Sequence, residues 1–377
     1  MENNLFITDV KIEKVRNLKN IEIRLNEKEK KHLIFTGKNG SGKTSVLEAM
    51  ASYIDNIKSI SDYKKNLGID LSFNVSEEKI AEEIEKGNLI TAYYKAERIF
   101  KADIPRQIEK VELKDNYRTE ETPRKEFIKY LLDLKATQAF SRTGNKQDKA
   151  EKIGKWFDSF EKLLQEIFDS RDLKLIFDEE TFQFKLEENG KEPFDFNTLS
   201  SGYAAVLDIV VDIIIRMEKK TGKNFKFDMQ GIVLIDEIET HLHLELQKRI
   251  LKLLTTVFPN VQFIITTHSP FILSSLGNTV IYDLEKNLTV ENGLTNLPYE
   301  GIVEGYFKAD SLSEELRKKF DEYKSLVKKE KLQGEDFEKI SSLEFYLDEI
   351  PDYLALDLNS EYKKLKNDLR NRDDLND

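Results

Sequence analysis

The sequence predicts an α/β fold with a mixed, mainly parallel core sheet, and three stretches carry that prediction. The segment Lys31-His32-Leu33-Ile34-Phe35-Thr36 reads as a short buried strand. It runs into Gly37-Lys38-Asn39-Gly40-Ser41-Gly42-Lys43-Thr44, after which Val46, Leu47, Ala49 and Met50 follow a helical pattern. Strand, glycine turn, then helix is the context of a phosphate-binding loop. Far downstream, Ile232-Val233-Leu234-Ile235 is a short apolar run ending on Asp236-Glu237. Such a run suits a strand buried on both faces of a mostly parallel sheet. A third run, Gln262-Phe263-Ile264-Ile265-Thr266, ends at Thr267-His268-Ser269-Pro270. In sheets of this kind, ligands bind at the carboxyl ends of the strands.

The remaining elements follow along the chain. Residues 5 to 25 alternate apolar and polar side chains, with Ile7, Val10, Ile12, Val15, Ile21, Ile23 and Leu25 on the apolar phase. They predict two antiparallel strands joined by Asn17-Leu18-Lys19-Asn20, flanking the core sheet. Residues 59 to 75 read as a polar insertion, and Ser76 to Gly87 as a charged helix with a serine cap and Glu78 close behind. Leu89 to Tyr94 is a strand that leads to Lys95-Ala96-Glu97-Arg98. Residues 105 to 150 are charge-rich, with apolar spacing only at Phe127, Tyr130, Leu131, Leu132 and Leu134, and predict a helical lid or arm. Trp156, Phe157, Phe160, Leu163, Leu164 and Ile167 recur at helical spacing, a pattern of core packing rather than of an aromatic ligand box.

Leu173–Phe177 and Phe182–Leu186 form an expected hairpin. Next comes Leu199-Ser200-Ser201-Gly202-Tyr203, where Ser200 or Ser201 can cap a strongly apolar helix beginning at Ala204. Leu244 to Val257 is a helix ending near Pro259, and Val280 to Leu284 is the last expected strand of the head. Beyond it, Leu312, Leu316, Phe320, Tyr323 and Val327 form one amphipathic stripe. Phe337, Ile340, Leu343, Leu347 and Ile350 form a second, and Leu358, Tyr362, Leu365 and Leu369 a third. The expected organisation is a head over residues 1–300, with a helical insertion at about 59–170, and a small C-terminal helical bundle over 301–377.

The chemistry of these stretches is specific. Glycines at 37, 40 and 42 let backbone N–H groups turn onto phosphate oxygens, and the start of the next helix adds partial positive charge. Lys43 would reach the β- and γ-phosphates and Thr44 would hold Mg²⁺, with Lys38, Asn39, Ser41 and Ser45 completing the cradle. Asp236 would ligate the Mg²⁺, directly or through water, and Glu237 would polarise the attacking water. His268, at the end of the neighbouring strand, could donate a hydrogen bond to the γ-phosphate and sense nucleotide state.

In this order, the motifs resemble the ABC-type P-loop ATPase heads of the SMC, RecF and OLD class. The resemblance implies that Ser200 and Gly202 of one subunit close over the ATP held by the other subunit's P-loop. It places Asp236-Glu237 as the Walker B acids, His268 as the switch histidine and His243 in the D-loop, within Glu239-Thr240-His241-Leu242-His243. It implies ATP and Mg²⁺ as ligands, a homodimer or higher oligomer, and Lys43, Glu237 and His268 as catalytic residues. Such heads carry a Q-loop glutamine; Gln107 and Gln138 are candidates here, and the Lys95–Arg98 segment lies where related defence ATPases have a Tyr-to-Arg element. The compact head and helical tail resemble the stand-alone AAA-family ATPase subunits of Septu and retron anti-phage systems. Those work with a separately encoded nuclease or other effector. Two alternatives remain: a RecF-like DNA-repair ATPase, or a slow nucleotide switch that restrains a toxin.

Composition narrows the field. A chain of 377 residues, 39% apolar, has room for one large domain or two smaller ones. With no cysteine, disulfides, thiol nucleophiles and thiolate metal sites are excluded. The polar start, Met1-Glu2-Asn3-Asn4, lacks the plan of a signal peptide, and a cytoplasmic location is expected. Asp208 and Asp212 interrupt the longest apolar run, so no membrane span is expected. A net charge of −11 argues against a chain coated in nucleic acid, although Lys11, Lys14, Arg16 and Lys19, and Arg142 to Lys155, leave local DNA contacts open.

Overall fold

Alternating burial sets the first two strands, β1 (Ile7–Val15) and β2 (Leu18–Arg24). Val10, Ile12 and Val15 point inward while Lys11, Glu13 and Lys14 face solvent. Val15 pairs with Leu18, so the connection is Arg16-Asn17 alone. The expected four-residue link is shorter because Leu18 and Lys19 already belong to the ladder. In the computed structural model the described residues are 4–58, 66–98, 100–103, 105, 107–297, 301–302, 314–329, 331–349 and 356–371.

The strand β3 (His32–Thr36) is buried throughout and feeds the glycine loop, after which α1 (Lys43–Asp55) begins. The polar insertion expected over 59–75 is corrected in part. Ile69–Phe73 forms a strand, β4, that pairs antiparallel with β1, with Ile69 opposite Ile12. Ile69 and Leu71 are two residues apart and both turn to the core, so their alternation outweighs the polar surroundings. Residues 59–65 lie outside the described residues. Next, α2 (Glu77–Glu85) is capped as expected, with the Ser76 side chain accepting a hydrogen bond from the Lys79 amide.

After β5 (Leu89–Tyr94), residues 107–122 form neither helix nor strand, which corrects the first part of the expected helical arm. This stretch has no apolar period, and its backbone is tied to the head instead: the Tyr93 amide donates to Thr119 O, and the Arg216 guanidinium to Arg118 O. Helix follows as α3 (Phe127–Thr143) and α4 (Gln147–Phe168). Trp156 stacks on Phe160 at 5.4 Å and meets the edge of Tyr130 at 6.0 Å, so the aromatic stripe packs a core. The hairpin β6 (Lys174–Asp178) and β7 (Gln183–Glu187) leads to α5 (Ser201–Thr221). Sixteen residues of α5 are buried, and a helix apolar nearly all round must lie inside the protein. Ser200 is its N-cap residue, yet its side chain makes no capping bond.

The main sheet is completed by β8 (Gln230–Ile235), α6 (Leu244–Val257), β9 (Val261–Thr266), the short α7 (Pro270–Leu273) and β10 (Thr279–Asp283). One strand more than expected, β11 (Leu288–Glu291), pairs antiparallel with β10. The strand order is β11-β10-β3-β9-β8-β5, and every neighbouring pair except β10–β11 is parallel. A second sheet, β2-β1-β4, is antiparallel. The fold is therefore the mixed α/β architecture expected, a mainly parallel sheet with flanking antiparallel strands. The order sets β9 between β3 and β8, which brings the ends of all three to one edge.

The chain divides into two compact units, residues 1–297 and 298–377. In the second unit, α8 (Glu314–Val327), α9 (Gly334–Asp348) and α10 (Leu356–Arg370) share a core of Phe320, Tyr323, Leu343, Leu347 and Tyr362. Leu312 and Ile350, expected on the first two stripes, lie outside the described residues. Among the described residues no helix is long and apolar enough to cross a membrane.

Candidate functional site

The glycine loop takes a conformation that side chains resist. Gly37, Gly40 and Gly42 all have positive φ, at 129°, 82° and 102°. A Cβ on Gly42 would also stand 2.8 Å from Leu18 Cδ1, so this position is closed by space as well as by backbone. The loop delivers Lys43 to the first position of α1, where it is buried. Its ammonium donates to the carbonyls of Gly37 at 2.9 Å and Lys38 at 3.2 Å, which pre-sets it across the loop. Burial pulls the Lys43 pKa down, opposed by Glu237, Glu239 and Asp236. Lys38 turns the other way, paired with Glu285 at 2.7 Å. Asn39 and Gly40 are exposed, while Ser41 and Ser45 are buried.

The acidic strand end meets this loop directly. Thr44 Oγ1 donates to Asp236 Oδ2 at 2.8 Å, and Thr266 Oγ1 donates to Asp236 Oδ1 at 2.6 Å. The two oxygen donors, Thr44 and Asp236, are the hard ligands that Mg²⁺ takes beside phosphates and water. The residues present therefore fit that ion. Glu237 has φ of 42°, a left-handed conformation unusual for a non-glycine residue. Its amide donates to Thr266 Oγ1 at 2.7 Å, and Arg98 holds the carbonyls of Asp236 and Glu237 at 2.5 and 2.8 Å.

Just past the end of the middle strand, the His268 amide donates to Glu239 Oε1 at 2.5 Å. His268 Nε2, Glu239 Oε2 and Ser41 Oγ are buried polar atoms with no hydrogen-bond partner among the described residues. Orphaned groups of this kind are rare in folded proteins and fit a polar ligand. Burial and the Lys43 charge lower the His268 pKa, so the ring is neutral near pH 7. Neutral imidazole keeps one N–H to donate and carries no charge.

Ser200, Gly202 and His243 form a second cluster. Ser200 and Ser201 are exposed at the start of α5. Gly202 is buried under the stretch 239–243: a Cβ there would lie 3.0 Å from His241 O and 3.6 Å from His243 Nε2. Among the described residues no hydrogen bond joins Ser200 or Gly202 to the glycine loop. The two clusters are linked through Gln247, whose Nε2 donates to Leu242 O at 2.9 Å and whose Oε1 accepts from Ser269 Oγ at 2.6 Å.

Neither glutamine candidate joins the metal donors. Gln138 is buried and donates to Ala150 O on the neighbouring helix, and Gln107 pairs with Glu109 on the surface. The Lys95–Arg98 segment supplies Arg98 instead. The sequence reading assigned no role to Glu239, Thr266 or Glu285. The first sits beside the recognised acids, so its place in the motif is its only signal. The other two lie at the ends of β9 and β10, where strand-end polar residues meet the loop.

Comparison with known proteins agrees with this geometry. The family "AAA domain, putative AbiEii toxin, Type IV TA system" matches residues 33–274. The chain is 33% identical to the Escherichia coli "Retron Ec83 probable ATPase" over 149 residues, covering 38% of this chain and 28% of that protein. It is 26% identical to Septu protein PtuA of Bacillus mycoides (strain KBAB4) over 375 residues, covering 90% of this chain and 50% of that protein. Against Septu protein PtuA of Bacillus thuringiensis it is 26% identical over 304 residues, covering 72% and 74%. The chain thus spans about a quarter of the retron protein's length and half of the first PtuA's. The family match runs from the strand ahead of the glycine loop to just beyond His268 and takes in well over half of the chain, which therefore belongs to this AAA-domain family of P-loop ATPases.

Proposed function

We propose that the chain is a Mg²⁺-dependent ATPase whose site is completed by a second copy. Opening and closing of the ATP-linked dimer would control a separately encoded effector in bacterial anti-phage defence. The observation that carries this reading is the Thr44–Asp236 hydrogen bond, which joins the glycine loop to the acidic strand end where a phosphate-bound metal would sit. When bound, Mg²⁺ would neutralise charge on the phosphate oxygens.

The protein groups would act as follows. Lys43 turns from the Gly37 and Lys38 carbonyls to the β- and γ-phosphate oxygens. Glu237 takes a proton from the attacking water as the water oxygen bonds to the γ-phosphorus and the bond to ADP breaks. Neutral His268 donates to the developing charge on the terminal phosphate. The exposed start of α5 carries Ser200, and a helix N-terminus attracts anions, which supports closure over ATP held by a partner copy.

The names of the Septu and retron relatives support the defence reading. A second reading is a slow nucleotide switch that restrains a toxin; the family description supports only its setting, a toxin system. Phosphate release from ATP by the purified chain, with Mg²⁺ and with the metal chelated, tests the activity. No release above background rejects it, and release that stays slow with and without a partner favours the second reading. Ser200→Arg should leave nucleotide affinity unchanged and lower turnover by ~100-fold, as for loss of a donor aimed at transition-state charge. Normal steady-state rates in that variant would show that the signature serine does not act across subunits.

A further inference from the structure

We propose that Arg98 is a positioning residue for Glu237. The inference rests on the ATPase reading above and assigns a new role to one side chain of that site.

Arg98 lies just after β5 and is 2% exposed. Its guanidinium donates to three carbonyls: Nη1 to Asp236 O at 2.5 Å and Lys95 O at 2.9 Å, and Nη2 to Glu237 O at 2.8 Å. The flat fork of an arginine can span two successive carbonyls, which a lysine ammonium cannot reproduce. It does so at the residue whose backbone is strained, since Glu237 sits at φ 42°. Such a conformation persists only where the surroundings over-determine it. Here the Glu237 amide is pinned by Thr266 Oγ1 and its carbonyl by Arg98.

Burial disfavours the charge on Arg98, and Asp208, Glu239, Asp236 and Glu237 oppose that.

The test uses Arg98→Lys in the full chain. Nucleotide affinity and KM should stay within about twofold, while kcat falls ~100-fold, as for a misplaced catalytic group. Amide hydrogen exchange over residues 236–240 should speed ~10-fold while residues 261–266 stay protected. An unchanged kcat, or unchanged exchange over 236–240, would each overturn the proposal. A wild-type chain without ATP turnover would sink the ATPase reading alone, and the exchange measurement would still decide the positioning role.

Discussion

Lys43→Ala is expected to weaken ATP binding by ~100-fold or more, since a lysine on two phosphates contributes charge-assisted hydrogen bonds of about 1.5–3 kcal/mol each. The size follows from how the residue is held. Its ammonium already lies across the loop on the Gly37 and Lys38 carbonyls, so little side-chain freedom is lost when phosphate arrives. Burial lowers its pKa, which makes the charge costly to keep without a ligand and strengthens its attraction for one. Titration with a fluorescent ATP analogue checks this. Affinity equal to that of the wild type would reject the glycine loop as the phosphate cradle.

Glu237→Gln should behave in the opposite way. ATP binding survives, because Thr44, Asp236 and the loop are untouched, while turnover falls by ~100- to 10,000-fold with the loss of a general base. Glutamine keeps the volume and leaves the Arg98 and Thr266 bonds to the backbone in place. The blocked chain should therefore accumulate as an ATP-bound dimer. Light scattering with ATP, with ADP and without nucleotide reads the mass directly, and phosphate release reads the rate. A variant that hydrolyses ATP at the normal rate would assign water activation to another group. Glu239, half-buried and facing Lys43 and His268, would be the next candidate.

The head was legible where burial leaves a long apolar signature. β3, β8 and β9 are buried along nearly all of their length and read directly as apolar runs, and the glycines of the loop each occupy a positive φ that only glycine takes readily. Elements at the sheet margins were harder to see. β4 carries only Ile69 and Leu71 toward the core, and β11 is mostly exposed, so neither rises above its polar surroundings. Residues 107–122 are charge-rich like many surface helices, and it is tertiary bonds to Thr119 and Arg118 that hold them extended.

The site divides in a similar way. Thr44 and Asp236 are 192 residues apart in sequence and meet because β3, β9 and β8 are neighbours, an arrangement the strand ends already suggested. What the sequence did not reveal are bonds from side chains to backbone. Arg98 grips carbonyls, Glu239 takes the His268 amide, and Gln247 bridges Leu242 to Ser269. A backbone carbonyl has no residue identity, so a partner of this kind leaves no pattern of paired side chains to read. The buried charges of α5 posed a related difficulty. Asp208 and Asp212 looked like breaks in an apolar run, whereas the fold encloses them with Arg124 and Arg216.

The central claim is that two copies share each nucleotide, and one structure tests it most directly: Glu237→Gln solved with ATP and Mg²⁺. The account predicts that Ser200 Oγ of one protomer lies within hydrogen-bond distance of the γ-phosphate cradled by Lys43 and Thr44 of the other. ATP seated in the glycine loop with Ser200 of every copy far from any terminal phosphate would contradict it.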